Sequence, residues 1–195
     1  MNKQKLAYLL FVVFFLAAVA FFSRPKAGPG SSASSEEILA GINGEQVAKL
    51  VLEKGEDSIE LAANDKGWGI PSRANYPADV GKIRALLLKL LGASSVQQLP
   101  SSDAGIKKLG LTEEGIKEGF GRVLLYDGQG KELGGLYIGK MRIKPSGQGG
   151  PPIGGGGQYV RRTDDSAVYM LAAPINLNAT MMNWLQTDLI NVLKS

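Results

Sequence analysis

The chain has 195 residues, 44% hydrophobic and 21% charged, enough for one ordinary domain with its own core. It has no Cys and no His, which excludes a disulfide framework, a thiol nucleophile, a Cys/His zinc site, an imidazole base and haem held by either residue. The net charge of +4 is concentrated. Lys3, Lys5, Arg24 and Lys26 share the first 26 residues with no acid, while residues 27–195 hold 18 basic and 18 acidic residues. A nucleic-acid surface needs a basic footprint. Here the excess base flanks an apolar run instead, so nucleic acid is set aside as a partner.

That run, residues 6–22, reads LAYLLFVVFFLAAVAFF without interruption. As a helix it spans roughly 25 Å, slightly short of a ~30 Å hydrocarbon core, and flanking Lys and Arg can snorkel across the difference. No polar face breaks the run, as a buried core helix on a globular domain would require. Lys3 and Lys5 place its start on the cytoplasmic side and the rest of the chain outside. Ala18-Val19-Ala20 offers an A-x-A cleavage pattern, so two readings stay open, a signal peptide and an uncleaved anchor. The run exceeds a usual signal-peptide apolar region and continues past that pattern, which favours the anchor. With no Cys there is no lipobox. The expected organisation is a membrane anchor (or signal peptide) over 1–22, a flexible linker over 23–44, and a periplasmic α+β domain over 45–195. The linker's first part, SRPKAGPGSSASS, has an r.m.s. reach of about 20 Å. Ser34 or Ser35 is a candidate cap for a short turn beginning at Glu36.

Within the domain, residues 47–53 alternate, Gly55-Glu56-Asp57 turns the chain, and 58–62 returns. After a turn at 64–67, Trp68-Gly69-Ile70 forms a third strand, with Trp68 as a core aromatic on the buried face. Pro77-Ala78-Asp79 opens a helix whose Val80, Ile83, Leu86, Leu87, Leu90 and Leu91 form the apolar stripe, closed at Gly92. Its Lys82, Arg84 and Lys89 are read as the solvated face. A shorter helix covers 102–109, closed by Gly110-Leu111. Hairpins follow at 122–126 with 132–138 and at 158–162 with 167–171, and a closing helix is expected over 177–193. Connections made mostly by hairpins give an α+β fold, mainly antiparallel and packed by two or three helices.

Candidate sites are few. The stretch 145–157, PSGQGGPPIGGGG, has the glycines of a phosphate loop but no following Lys-Ser or Lys-Thr. It is read as a surface loop between strands. The acidic pairs Glu36-Glu37, Glu113-Glu114 and Asp164-Asp165 are neighbours in sequence, so their side chains diverge rather than converge for acid–base work. Lys140, Arg142 and Lys144 alternate as on a solvated strand face. No convincing S-x-x-K nucleophile motif is seen. Asn178-Ala179-Thr180 matches a glycosylation sequon, relevant only in a eukaryotic cell. No catalytic, cofactor-binding or metal-ligating residue is assigned, no cofactor is expected, and binding residues stay unknown.

In this order, Trp68-Gly69-Ile70, Tyr76-Pro77-Ala78-Asp79, Leu109-Gly110-Leu111, Val123-Leu124-Leu125-Tyr126, Leu136-Tyr137-Ile138-Gly139, Tyr159-Val160-Arg161, Val168-Tyr169 and Trp184 resemble the bacterial family known as domain of unknown function 4340. The similarity covers about residues 45–193. Leu109 stands where the family often has Tyr, no Pro follows the Gly-Leu pair, and the glycine loop looks like an insertion. The resemblance implies a membrane-anchored periplasmic component, often encoded beside ABC-type export or gliding-motility transport systems, and implies no catalytic residues. The expected function is therefore a non-enzymatic accessory or interaction protein of the inner membrane, partnered by an envelope protein such as an ABC permease. The alternative is a soluble periplasmic lipid- or glycan-binding module released by signal cleavage. A third reading, an envelope hydrolase, requires a cleft with convergent groups.

Overall fold

The protein is described by a computed structural model over residues 36–142 and 157–187. Hairpins build the sheet from short loops. Strand β2 (Lys49–Lys54) returns as β3 (Asp57–Asn64) through a two-residue loop, with Gly55 at the first loop position (φ +65). Two-residue hairpin loops need a positive φ there, which glycine supplies without strain. β4 (Gly67–Ile70) pairs with β3 after a turn in which the Asn64 side chain accepts the Lys66 N–H at 2.8 Å. The short β5 (Tyr76–Pro77) closes this end.

β7 (Gly121–Tyr126) and β8 (Glu132–Met141) form the next hairpin, its turn pinned by Asp127, which accepts the Gln129 and Lys131 N–H groups at 2.9 Å. β9 (Gln158–Arg162) and β10 (Val168–Leu171) form the last. With β1 (Glu36–Glu37) and β6 (Ser94–Leu99), the described residues make one ten-stranded sheet in the order β1-β6-β10-β9-β8-β7-β2-β3-β4-β5. Every pairing is antiparallel. The fold is α+β, as the hairpin pattern implied.

Strand alternation sends neighbouring side chains to opposite faces. One face carries Leu50, Leu52, Leu61, Val123, Leu125, Leu136, Ile138 and Val160, and the long helix α1 (Val80–Leu91) covers it with Ile83, Leu86 and Leu90. Asp79 caps α1 by accepting the Lys82 N–H at 3.1 Å. The other face carries a smaller cluster: Tyr137 and Val168 with Ile106, Leu111 and Ile116 from α2 (Asp103–Lys108) and α3 (Glu113–Lys117).

Five expectations need correcting. Residues 36–44, assigned to the linker, belong to the fold: Glu36 and Glu37 pair with Ser95 and Ser94, and Ile38 and Leu39 are buried. The proposed turn at Glu36 is thus a strand. The helix expected from 177 is absent over 177–187, where one 3-10 turn, Met181–Asn183, occurs. Ile175, Leu177 and Ala179 are buried while Asn176, Asn178 and Thr180 are exposed. This is a period of two, not 3.6, and the Asn178 side chain bonds the local backbone at Thr180. Val80 leaves the expected helix stripe, being 43% exposed. Trp68 is only partly buried, packed at the margin of the main core. No helix among the described residues is long and apolar enough to cross a membrane. The run at 6–22, Lys144, the glycine stretch before Gly157 and residues 188–193 of the expected helix lie outside the described residues.

Candidate functional site

The densest polar cluster sits on the second face of the sheet, under α3. Register alone aligns Glu53 on β2, Arg122 on β7, Tyr137 on β8 and Arg161 on β9 in one cross-strand row. Arg122 donates to Glu53 from Nε at 2.6 Å, and from Nη1 to Glu113 and to the Tyr137 hydroxyl (3.3 Å). The Tyr137 hydroxyl in turn donates to Glu113 at 2.6 Å. The two guanidinium groups flank the Tyr137 ring, at 5.7 Å for Arg122 and 4.4 Å for Arg161. Arg161 also donates to the Leu111 and Asp165 carbonyls at 3.0 and 2.9 Å.

Burial works against the charge on Arg122. Its bonds to Glu53 and Tyr137 and the attraction of Glu53 and Glu113 outweigh that cost, so its pKa is raised above the ordinary value. Burial and the Glu113 carboxylate hold the Tyr137 phenol above its usual range. Both shifts hold the protons on Arg122 and on the Tyr137 hydroxyl. What it does physically is clamp α3 and the Leu111 turn to the sheet, with the donors matched to acceptors.

A shallow open cleft of about 590 Å³ lies where the β2–β3 loop meets residues 177–180. Lys54 donates to the Leu177 carbonyl at 3.3 Å and Thr180 to the Asp57 carboxylate at 2.9 Å across it. These two bonds tie the β2–β3 loop to the 177–180 segment.

Two of the acidic pairs, Glu113-Glu114 and Asp164-Asp165, send their side chains to different partners, as the sequence implied. Glu113 joins Arg122 while Glu114 meets Lys107 at 2.5 Å on the surface, which lowers the Glu114 pKa and raises that of Lys107. Asp164 binds Arg162 through two bonds of 2.8 and 2.6 Å, and Asp165 accepts the Ala167 N–H at 3.1 Å. Among the described residues no three acidic groups gather to hold a metal ion. Lys140 lies 5.8 Å from the Phe120 ring, and Arg142 falls beyond the end of β8. Asn178 and Thr180 of the sequon line the cleft, and the Asn178 carbonyl accepts the Trp184 indole N–H at 2.8 Å. Sequence reasoning missed the Glu53–Arg122–Tyr137–Glu113 grouping. A signal for α3 was present: Thr112 before Glu113-Glu114 is a cap followed by a first-turn acid pair.

A family model described as Domain of unknown function (DUF4340) matches residues 68–195. The chain belongs to this family. No curated protein and no solved structure gives a significant match. The DUF4340 match begins at Trp68, inside the sheet, rather than near residue 45. β2 and β3 lie before it, yet β2 sits between β7 and β3 in mid-sheet. The structural unit is therefore longer than the matched stretch. The fragments that carried the resemblance also meet in space. Trp68 accepts the Ala78 N–H at 2.9 Å, Trp184 accepts the Asp79 N–H at 2.8 Å, and Leu109 accepts the Lys140 N–H at 3.0 Å.

Proposed function

We propose that this DUF4340 member is a non-enzymatic accessory protein of the bacterial envelope, anchored in the inner membrane with its α+β domain on the periplasmic side. The observation that carries the reading is the uninterrupted apolar run at 6–22 with Lys3 and Lys5 before it. The early start of the fold supports it, because Ile38 and Leu39 are already in the core. Only residues 23–35 then separate run and domain, so the domain works close to the bilayer. The family resemblance supports an envelope partner such as an ABC-type permease.

Crosslinking of the full chain in native membranes, followed by mass spectrometry of what is captured, tests this. Recovery of a permease or its ATPase is the expected result. A chain found in the soluble periplasmic fraction and lacking residues 1–20 overturns the anchor. The second reading in that case is a soluble lipid- or glycan-binding module, for which the open cleft beside Lys54 and Asp57 offers a place, and native mass spectrometry of the protein from cells would show the retained ligand.

A further inference from the structure

The outer face of α1 joins two features the fold does not use. Val80–Leu91 contains Lys82, Arg84 and Lys89 and no acid. Ile83, Leu86 and Leu90 are turned to the sheet, while Leu88 is 69% and Val80 43% exposed. Val80, Arg84 and Leu88 follow at i, i+4 spacing, a row about 12 Å long on the solvent side. Lys82 is held by the Asn183 carbonyl at 2.8 Å and by Asp79 at 3.6 Å. Arg84 and Lys89 have no hydrogen-bond or ion-pair partner among the described residues.

A single exposed leucine is ordinary. An exposed Leu and Val set among unpartnered cations, on a helix without acids, match an anionic surface in both charge and polarity. We propose that the outer face of α1 docks on an anionic lipid surface, with Leu88 and Val80 entering the headgroup boundary and Arg84 and Lys89 meeting the lipid phosphates. The proposal rests on the anchored reading, in which residues 23–35, with an r.m.s. reach of about 20 Å, tether the domain to the bilayer. An acidic protein fits this face less well. Its only large apolar side chains are Val80 and Leu88, with no aromatic to anchor a desolvated interface centre.

The chain has no cysteine, so one can be introduced for labelling. Ala85→Cys, on the same exposed face, carries a polarity-sensitive fluorophore on the full chain reconstituted into nanodiscs. Emission shifts to the blue in discs containing anionic phospholipid. It does not shift in zwitterionic discs or at high salt, nor with the label at Asp65→Cys in the β3–β4 turn. Arg84→Gln and Lys89→Gln each lower the docked-to-free ratio about fivefold at low salt, and Leu88→Asp abolishes the shift.

No shift in anionic discs that contain the protein overturns the docking and leaves the anchor standing. A shift independent of lipid charge also overturns it, as does one appearing only when an acidic membrane protein is added. A chain that never enters the discs defeats the anchored reading instead. Docking is then read from co-sedimentation of that soluble chain with anionic vesicles, and failure to sediment overturns it.

Discussion

Gly139 on β8 lies directly against the carbonyl of Leu109. A β-carbon on Gly139 would collide with that oxygen and fall 2.8 Å from Leu111 Cδ2, while the neighbouring Lys140 N–H donates to the same carbonyl at 3.0 Å. The Leu109-Gly110-Leu111 turn is seated on the strand by this missing side chain. Two stretches that looked like separate family fragments are one contact.

Gly139→Ala should therefore destabilise by about 2–3 kcal/mol, since backbone rather than a flexible side chain must move. Gly128→Ala is the matched control. Its β-carbon would meet only Ala48 at 3.9 Å, and a change within about 0.5 kcal/mol is expected. Urea denaturation of both variants decides the matter; equal stabilities would contradict the contact.

Tyr137→Phe removes the hydroxyl that links Glu113 and Arg122. Because Glu113 is well exposed, the loss should sit at the low end for a charged hydrogen bond, about 1.5 kcal/mol. The same variant tests an alkaline effect. The folded protein raises the Tyr137 pKa, chiefly by burial and next by Glu113. A raised value means the folded state holds the proton more tightly than the unfolded chain. The associated stability is complete below the unfolded phenol value and is lost as pH rises through the folded one. Tyr137→Phe should flatten the alkaline decline without abolishing it, because burial raises Tyr126 too.

Asp79→Ala should cost about 1 kcal/mol by leaving the Lys82 N–H without its cap. Asp79→Asn retains the acceptor and should recover most of that stability. Recovery separates the capping bond from the solvent-screened Asp79–Lys82 ion pair, and thermal unfolding of the two variants reads it.

On the acid side, Arg162 lowers the Asp164 pKa through its hydrogen bonds, and the Ala167 N–H lowers that of Asp165. Depressed carboxylates stabilise the fold above their unfolded values, and that contribution is lost as pH falls through the folded ones. In a carboxyl NMR titration, Arg162→Gln should return Asp164 toward the ordinary aspartate range and leave Asp165 low. A parallel rise of both would show that the β9–β10 turn had been lost rather than one charge.

Much of the fold was readable because its signals are local. The loop glycine at Gly55, the Asp79 cap and the alternation within 47–53 each depend on a few adjacent residues. β6 was not readable. Its sequence SSVQQL has little apolar content, and it becomes a strand because β10, far away in the chain, pairs with it. The stretch from Ile175 to Thr180 showed its period of two in the sequence, but the apolar residues beyond it were grouped with it as a helix. The Arg122 cluster was hidden for another reason. Glu53, Glu113, Arg122 and Tyr137 belong to separate elements; the register of β2, β7 and β8 aligns Glu53, Arg122 and Tyr137, and the packing of α3 on that face adds Glu113.

Composition alone removed cysteine and histidine chemistry, and the order of hairpin signals determined the antiparallel α+β class. Those conclusions need only residue counts and short-range backbone preferences. Which strands neighbour one another, which carboxylate meets Arg122, and which side of α1 leaves Leu88 in water were decided by tertiary structure. Each depends on pairings between distant segments, where burial of the Leu50, Leu125 and Leu136 face selects one register over the alternatives.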